Sequence, residues 1–386
     1  MILSRWQTEK LGTLVSFKTG KLDSNAATSH GAYPFFTCSR ETYRTDTFSF
    51  DTECVLLAGN NANGIYPIKF FKGKFDAYQR TYVIQSLNTE RLNNRFLYYA
   101  LQFQLDHLRR ISTGSATKFL TLTILNDLSI PLPPIKTQQK ISAFISAYDD
   151  LIENNTNRIR ILEDALRIFY HKRIAKEIAS SSQINVPDGW NIKSLGEIAY
   201  ESRRSINISQ IDPNTAYVGL EHIPRRSIAL YDWGSAKDVQ SMKLRFDKGD
   251  ILFGKIRPYF HKVSIAPIAG VCSSDAIVIK PKKPEHYALT LCCVSSDEFI
   301  LEATQTSQGT KMPRANWDVL KKFPVVVPSQ PSLSRFNNII MDFVAQIENL
   351  SMKNRLLRQT RDLVIPKLIL REIDVSDLEI VMGELN

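Results

Sequence analysis

Residues 120–159 read LTLTILNDLSIPLPPIKTQQKISAFISAYDDLIENNTNRI. An apolar run ends at Pro131, Pro133 and Pro134, and a long charged helical pattern follows. Thr137 is the expected N-cap, because the prolines bar helix upstream of it. From there Ile141, Ile145, Tyr148, Ile152, Asn155, Ile159, Leu162, Leu166, Phe169 and Arg173 alternate by four and three. Such a stripe requires a coiled-coil partner, and a single Asn within it fixes register at some cost in stability.

A matching stripe lies further along the same chain. Setting Gly114 on Gly309 gives an offset of 195, which aligns Leu125 with Leu320, Ile130 with Val325 and Pro133 with Pro328. The same offset puts Ile152-Glu153-Asn154 on Ile347-Glu348-Asn349 and Lys172 on Lys367. Behind Ser332 as second N-cap come Phe336, Ile340, Phe343, Ile347, Leu350, Asn354, Leu357, Arg361, Val364 and Leu368, again with one Asn. Each helix is expected to run about 40 residues, roughly 60 Å, longer than a small domain is wide. The fronts of the halves share a second mark, since Trp6-x4-Leu11-Gly12 is echoed by Trp190-x4-Leu195-Gly196 at an offset of 184. The second half is therefore 11 residues longer before its helix. Phe50-Asp51 likewise resembles Phe246-Asp247, while most of the sequence between these anchors differs. The competing reading is two unrelated amphipathic helices, each lying on its own domain.

The length of 386 residues implies at least two cores, and 43% hydrophobic with 23% charged residues is an ordinary globular balance. Short β-like runs (54–58, 81–85, 250–253, 276–280, 325–327) accompany one helical stretch per half, 90–110 and 284–305. The fold class expected is α+β: two mixed α/β domains separated by two long helices packed as an antiparallel coiled coil, with an internal pseudo-two-fold repeat. No run is apolar enough to span a bilayer and the N-terminus lacks a signal-peptide core, so a cytoplasmic protein with no membrane partner is expected. Five cysteines without a CxxC argue against a disulfide framework or a zinc site. The net charge of +10 conceals a body of +15 and a tail, 372–386, with five acids and no base. A basic body is compatible with a polyanion.

Chemistry is hard to find. Gly59-x4-Gly64 is followed by Ile65 where a P-loop needs Lys, and no GxGxxG occurs. The six histidines form no HxxxH pair. Asp51 and Asp247 correspond in the repeat, but each is expected in a turn before a strand, where Asp bonds local backbone. No catalytic residue and no metal ligand is assigned, and no cofactor is expected on this chain. Loops rich in basic, aromatic and amide groups suit DNA, where Arg and Lys hold phosphates, Arg reads guanine and Asn reads adenine. In the first half they offer Arg40, Arg44, Asn61, Asn63, Lys69, Lys72, Lys74 and Arg80. In the second they offer Arg203, Arg204, Arg225, Arg226, Lys255, Arg257, His261 and Lys262. Solvated loops with packed aromatics are the competing reading of these stretches.

The duplicated Gly-x10-Leu-x2-(Leu/Phe)-x-(Ile/Val)-x-(Leu/Val)-Pro segment and the two IEN-containing helices resemble the specificity subunit of Type I restriction-modification systems over essentially the whole chain. The first copy fits closely. The second departs, with VVVPSQPSLSRF in place of PLPPIKTQQKI. The resemblance implies target-recognition domains at 1–136 and 181–331, conserved spacer helices at 137–180 and 332–371, and an acidic tail at 372–386. By family position it adds Ser115, Thr117, Lys118, Thr310, Lys311 and Arg314, beside the repeated Gly, to the DNA-binding candidates. It implies a non-catalytic subunit on double-stranded DNA with a bipartite asymmetric site. Two modification subunits carrying S-adenosylmethionine would dock around the helices, and restriction subunits using ATP and Mg would join them. Two other readings stay open: a fused methyltransferase or nuclease with an unrecognised site, and a coiled-coil adaptor that never meets DNA.

Overall fold

The first long helix runs Ile135–Tyr170 and the second Gln330–Ile369. Both start two residues before the expected caps at Thr137 and Ser332. The carbonyl of Pro134 accepts from Thr137 and Gln138, and that of Ser329 accepts from Leu333. Proline is tolerated in a first turn because its missing N–H would be unpaired there anyway, so Pro331 does not delay the second helix. The first helix ends in a π-type turn, His171–Ala175. The computed structural model describes residues 6–62, 64–114, 117–175 and 187–375. Asn63, Ser115, most of the acidic tail and residues 176–180 of the expected first spacer lie outside them.

The chain divides into two units, Met1–Asp150 with Gln359–Asn386, and Leu151–Arg358. The division falls inside both long helices, so each unit owns a length of each.

In the first unit a six-stranded sheet has the order Val15–Thr19, Thr81–Ser86, Phe50–Ala58, Ile68–Ala77, Tyr33–Phe36, Thr42–Thr45. It is antiparallel except where Tyr33–Phe36 runs parallel to Ile68–Ala77. The alternation of strand side chains gives it two apolar faces. Val55, Leu57 and Ile84 face a core shared with Phe96, Ile141, Ile145, Ile365 and Leu368. Cys54, Leu56, Phe75 and Val83 pack on the other side with Phe36. Two stretches read as loops are therefore partly strand: the one with Arg40 and Arg44 contributes to the hairpin 33–45, and the one with Asn61, Lys69, Lys72 and Lys74 enters the ten-residue strand Ile68–Ala77. Phe71 and Phe75, four apart on it, close on the Phe36 ring with centroids at 5.1 and 5.6 Å, which ties the strand to the core. Asp51 also lies in a strand.

The second unit has a four-stranded antiparallel sheet, ordered Ala199–Glu201, Ala276–Pro281, Ile251–Gly254, Val263–Ile265. A five-stranded sheet runs Ser205–Ile206, Lys243–Phe246, Gly270–Cys272, Ala216–Val218, Gly234–Ser235. Ile251, Phe253, Leu289 and Phe299 share a core with Ile159, Leu166, Phe336, Ile340 and Ile347 of the long helices. Both expected helical stretches are interrupted: the first at Gln104, the second at Ser296, whose hydroxyl caps a new helix at Phe299 N.

The shared sequence marks have matching surroundings. In the first unit Thr8–Lys10 pairs with Ser129–Pro131, and Leu11 N donates to Leu128 O at 2.7 Å. In the second, Asn191–Ser194 pairs with Pro324–Val327, and Leu195 N donates to Phe323 O at 2.8 Å. Both leucines are fully buried. A Cβ at Gly12 would press on the Asn126 side chain, which would have to move.

All eighteen expected apolar and Asn seam positions, from Ile141 through Phe169 and from Phe336 through Leu368, are buried or half-buried. In the second unit Phe169 stacks on Phe336 at 5.7 Å and Asn155 meets Asn354, so the contacts run in opposite chain directions. Asn155 Nδ2 donates to Asn354 Oδ1 at 3.0 Å, and Asn354 Nδ2 donates to Thr156 Oγ1 at 3.1 Å and Ile152 O at 3.3 Å. In the first unit Asp149 accepts from Tyr99 Oη at 2.7 Å and from Arg361 Nη1 at 2.6 Å. Gln138, fully buried, accepts from Asn93 N and donates to the carbonyls of Arg91 and Pro133. Among the described residues no helix is long and apolar enough to cross a membrane.

Replacing Asn354 alone by Leu would strand the Asn155 amide and is expected to cost about 1–3 kcal/mol, whereas Asn155→Leu with Asn354→Leu should regain most of that loss. Urea unfolding of the three proteins checks this; a double variant no more stable than the single would count against a paired amide.

Candidate nucleic-acid interface

Each unit carries one tight hairpin at its repeated glycine. Thr113 and Phe119 exchange backbone hydrogen bonds in the first, and Gln308 and Arg314 do so in the second, at the 195-residue offset. Gly114 and Gly309 sit at φ +99° and +100°. That left-handed backbone is open to glycine at no steric cost. At Gly114 a Cβ would also collide with the Thr117 carbonyl.

In the second unit the hairpin lines a groove of about 650 Å³ together with Arg203, Lys255, Arg314, Gln308, Asn316 and Ser205. Backbone bonds build it: Ala315 N to Lys255 O at 2.9 Å, Lys255 N to Asp275 O at 3.0 Å and Arg257 N to Pro313 O at 2.7 Å. Three of the expected cations thus converge with two amides. Gln308 and Asn316 were absent from the sequence candidates, although they flank the hairpin. Arg314 is 3.8 Å from Asp275, and Arg203 is 2.6 Å from Glu201, both pairs near solvent. Thr310 and Lys311 are exposed at the hairpin tip, and Arg257 Nη2 reaches Lys311 O at 3.4 Å.

Beside the groove the loop 255–262 is mounted on unusual backbone. Arg257, His261 and the neighbouring Arg226 all have left-handed φ, +49°, +51° and +56°. Arg226 N donates to His261 O at 2.8 Å, and its guanidinium lies 3.2 Å from Asp297. Arg225 stacks on the Phe260 ring at 4.1 Å. His261, expected near DNA, is only 4% exposed, its Nε2 on Ser295 O at 2.9 Å. Burial depresses its pKa. The ring therefore braces the loop from inside. Lys262 donates to Leu220 O. Arg204 and Lys280 both bind Asp247, at 2.6 and 2.7 Å, and those bonds, Lys280 first, hold the carboxyl below its usual range. Asp247 is thus a partner for cations within the protein, in the turn before Ile251–Gly254.

In the first unit Asn60–Asn61 pairs with Lys118–Phe119, which brings Asn61 beside Lys118. Arg80 lies 6.0 Å over Phe119. Thr117 is half-buried between them and the repeated glycine. Cys38 Sγ, unnoticed in the sequence, donates to Asn60 Oδ1 at 3.1 Å and fixes this corner. Arg40, Lys72 and Lys74 are exposed, Lys74 over the Phe48 ring at 4.9 Å. Arg44, though exposed, is engaged by the carbonyls of Gly31 and Ala32 at 2.6 and 2.8 Å. Lys69 donates to Glu41 O at 2.8 Å and Thr42 Oγ1 at 3.1 Å. Burial, opposed by the Glu41 charge, lowers its pKa to about 8. Among the described residues no three His, Cys, Asp or Glu side chains group as metal ligands.

Two segments, 4–164 and 187–359, match the family model described as Type I restriction modification DNA specificity domain. The chain is 29% identical over 359 residues to the EcoDI specificity subunit of Escherichia coli, covering 84% of this chain and 78% of that protein. It is 26% identical over 305 residues to the MjaIX specificity subunit of Methanocaldococcus jannaschii, covering 74% and 70%. The crystal structure of a Type I system S subunit from M. genitalium has the same fold, with a TM-score of 0.57 at 19% identity, 94% of this chain and 96% of that one. Matched twice by one family model across most of its length, the chain belongs to the specificity subunits of Type I restriction-modification systems.

Proposed function

We propose that this chain is the non-catalytic DNA-reading subunit of a Type I restriction-modification complex, with each target-recognition domain reading one half of a bipartite, asymmetric site on double-stranded DNA. The observation that carries this reading is the pair of like-built glycine hairpins, each set among cations in its own unit. The surrounding strands and loops differ between the halves, which supports two unlike half-sites in one shared frame. Domain limits follow the sequence: 1–136 and 181–331 read DNA, 137–180 and 332–371 form the spacer, and 372–386 is the tail. The spacer is an antiparallel coiled coil under a pseudo-two-fold axis, supported by the oppositely directed Phe169–Phe336 and Asn155–Asn354 contacts. It acts as a ruler, because half-site spacing follows from protein geometry.

Two modification subunits dock along the helices, where Ile161, Ile168, Met352 and Leu356 of the second unit are exposed at 39–64%. Apolar side chains facing water on an otherwise charged helix fit a protein partner. The modification subunits bring S-adenosylmethionine, and the restriction subunits, with ATP and Mg, join them. Base flipping and methyl transfer need a pocket and cofactor site that this reading leaves to those subunits.

Mapping methylated adenines in cells carrying the complex tests the proposal; a split motif is expected, and a continuous one would overturn it. One heptad inserted at matched places in both helices should lengthen the gap by about 10 Å, about three base pairs, with both half-sites kept. An unchanged gap would defeat the ruler. Lys69 supplies a pH test. Above about 8 it loses its charge, so DNA affinity should fall as pH rises through that value, and Lys69→Arg should abolish the fall. Folding stability moves the other way. The stabilisation linked to a lysine depressed from 10.5 is complete above 10.5 and lost as pH falls toward 8. Anisotropy and urea titrations between pH 7 and 10 read the two trends separately.

A further inference from the structure

We infer that Glu163, on the first long helix, is a positioning residue for the second reader: with Arg355 and Arg358 of the second long helix it holds the segment Ser227–Trp233 and thereby sets the loops that carry Arg225, Arg226 and Arg257. The inference rests on the DNA-reading function proposed above. Glu163 is 7% exposed, and its Oε1 accepts from Ser227 Oγ at 2.7 Å and Ile228 N at 2.8 Å. A carboxylate among Ile159, Leu166 and other core side chains is costly unless hydrogen bonded, and both of these donors belong to one segment. Burial raises its pKa, opposed by the same two bonds. The other end of the segment rests on the second helix. Trp233 lies under the Arg355 guanidinium at 3.6 Å, Asp232 is 3.6 Å from it, and Tyr231 lies under Arg358 at 4.5 Å. Seven residues thus engage one helix at their start and the other at their end.

Two further observations mark this as a device of the second reader alone. The position corresponding to Glu163 at the 195-residue offset is Arg358, of opposite charge, so Glu163 is no part of the shared helix pattern. The repeat offset also grows from 184 at Trp6/Trp190 to 196 at Phe50/Phe246. The added residues therefore fall between Gly196 and Phe246, the interval that contains Ser227–Trp233. The segment is laced to the strand Val263–Ile265 as well, with Ile265 N on Ile228 O at 2.9 Å and Ser264 Oγ on Ser227 O at 3.3 Å. Arg226, next to its first residue, is tied to His261, and left-handed backbone at non-glycine residues persists only where the surroundings over-determine it. Glu163 supplies that constraint from the buried side of the segment.

The experiment uses the full chain in its assembled modification complex, with half-site discrimination read by mapping methylated adenines across a library of sites. The second reader's half is the one that survives exchange of residues 1–136. Glu163→Ala should relax discrimination in that half by about tenfold and leave the other half unchanged, whereas Glu163→Gln, which keeps the accepting oxygen, should stay within about twofold of the parent. Arg355→Met should relax the same half and decides the matter if Glu163→Ala does not fold. Equal loss in both halves, no change in a folded Glu163→Ala or in Arg355→Met, or Glu163→Gln behaving like Glu163→Ala would each overturn the inference. A parent complex without a split motif would instead overturn the DNA-reading proposal itself.

Discussion

An amide withdrawn from water must find a partner or lose the hydrogen bonds it had, and in an apolar seam partners are scarce. Asn354, 1% exposed, finds them on the opposing helix in Asn155, Thr156 and the Ile152 carbonyl. Sliding one helix by a turn would leave these groups facing Leu and Ile. Apolar seam residues pack nearly as well in several registers, so the polar pair selects one. What the second unit's lengths of helix carry is then positioned too, because Glu163 and Arg355 occupy the same paired lengths as the amides.

The frame was legible from the sequence because it is periodic and repeated. The four-three stripe placed Ile141, Ile152, Phe336 and Ile347 inward, and burial of those side chains follows from helical geometry alone. Gly114 and Gly309 were legible for a different reason: at strongly positive φ, glycine serves best. The runs 54–58, 81–85, 250–253, 276–280 and 325–327 were legible as strands, but others were hidden. IKFFKGKFDA has three lysines and a glycine in ten residues, and its aromatic alternation is meaningful only once Phe36, 35 residues before Phe71, supplies the ring they pack on. Glu163 was hidden more deeply, since a carboxylate in a charged helix looks solvated until Ser227, 64 residues on, covers it.

Basic composition likewise overstated the cations available for phosphate. Arg44 props a hairpin, and Arg204 shares Asp247 with Lys280. Lys262 holds a carbonyl, and Arg355 and Arg358 lie on aromatic rings. A guanidinium is well suited to such work, being planar, weakly hydrated and always charged. The cations that converge at the groove, Arg203, Lys255 and Arg314, are fewer than the net charge implies. Lys255 and Arg314 are held close together by backbone bonds, Ala315 N to Lys255 O and the exchange between Gln308 and Arg314.

That division of labour bears on how two unlike units coexist in one repeated frame. The elements that recur, the Leu-Gly turn, the short paired strands and the glycine hairpin, are held mainly by backbone hydrogen bonds, which tolerate side-chain change. The inserted segment that differs is anchored by side chains, Ser227–Trp233 on Glu163 and Arg355 in the second unit. Backbone bonding preserves the mount, and a separate side-chain anchor holds what is inserted into it. A change in what is mounted therefore calls for a matching change on the helix surface that anchors it. Arg358 standing where the repeat would place a second Glu163 is such a change.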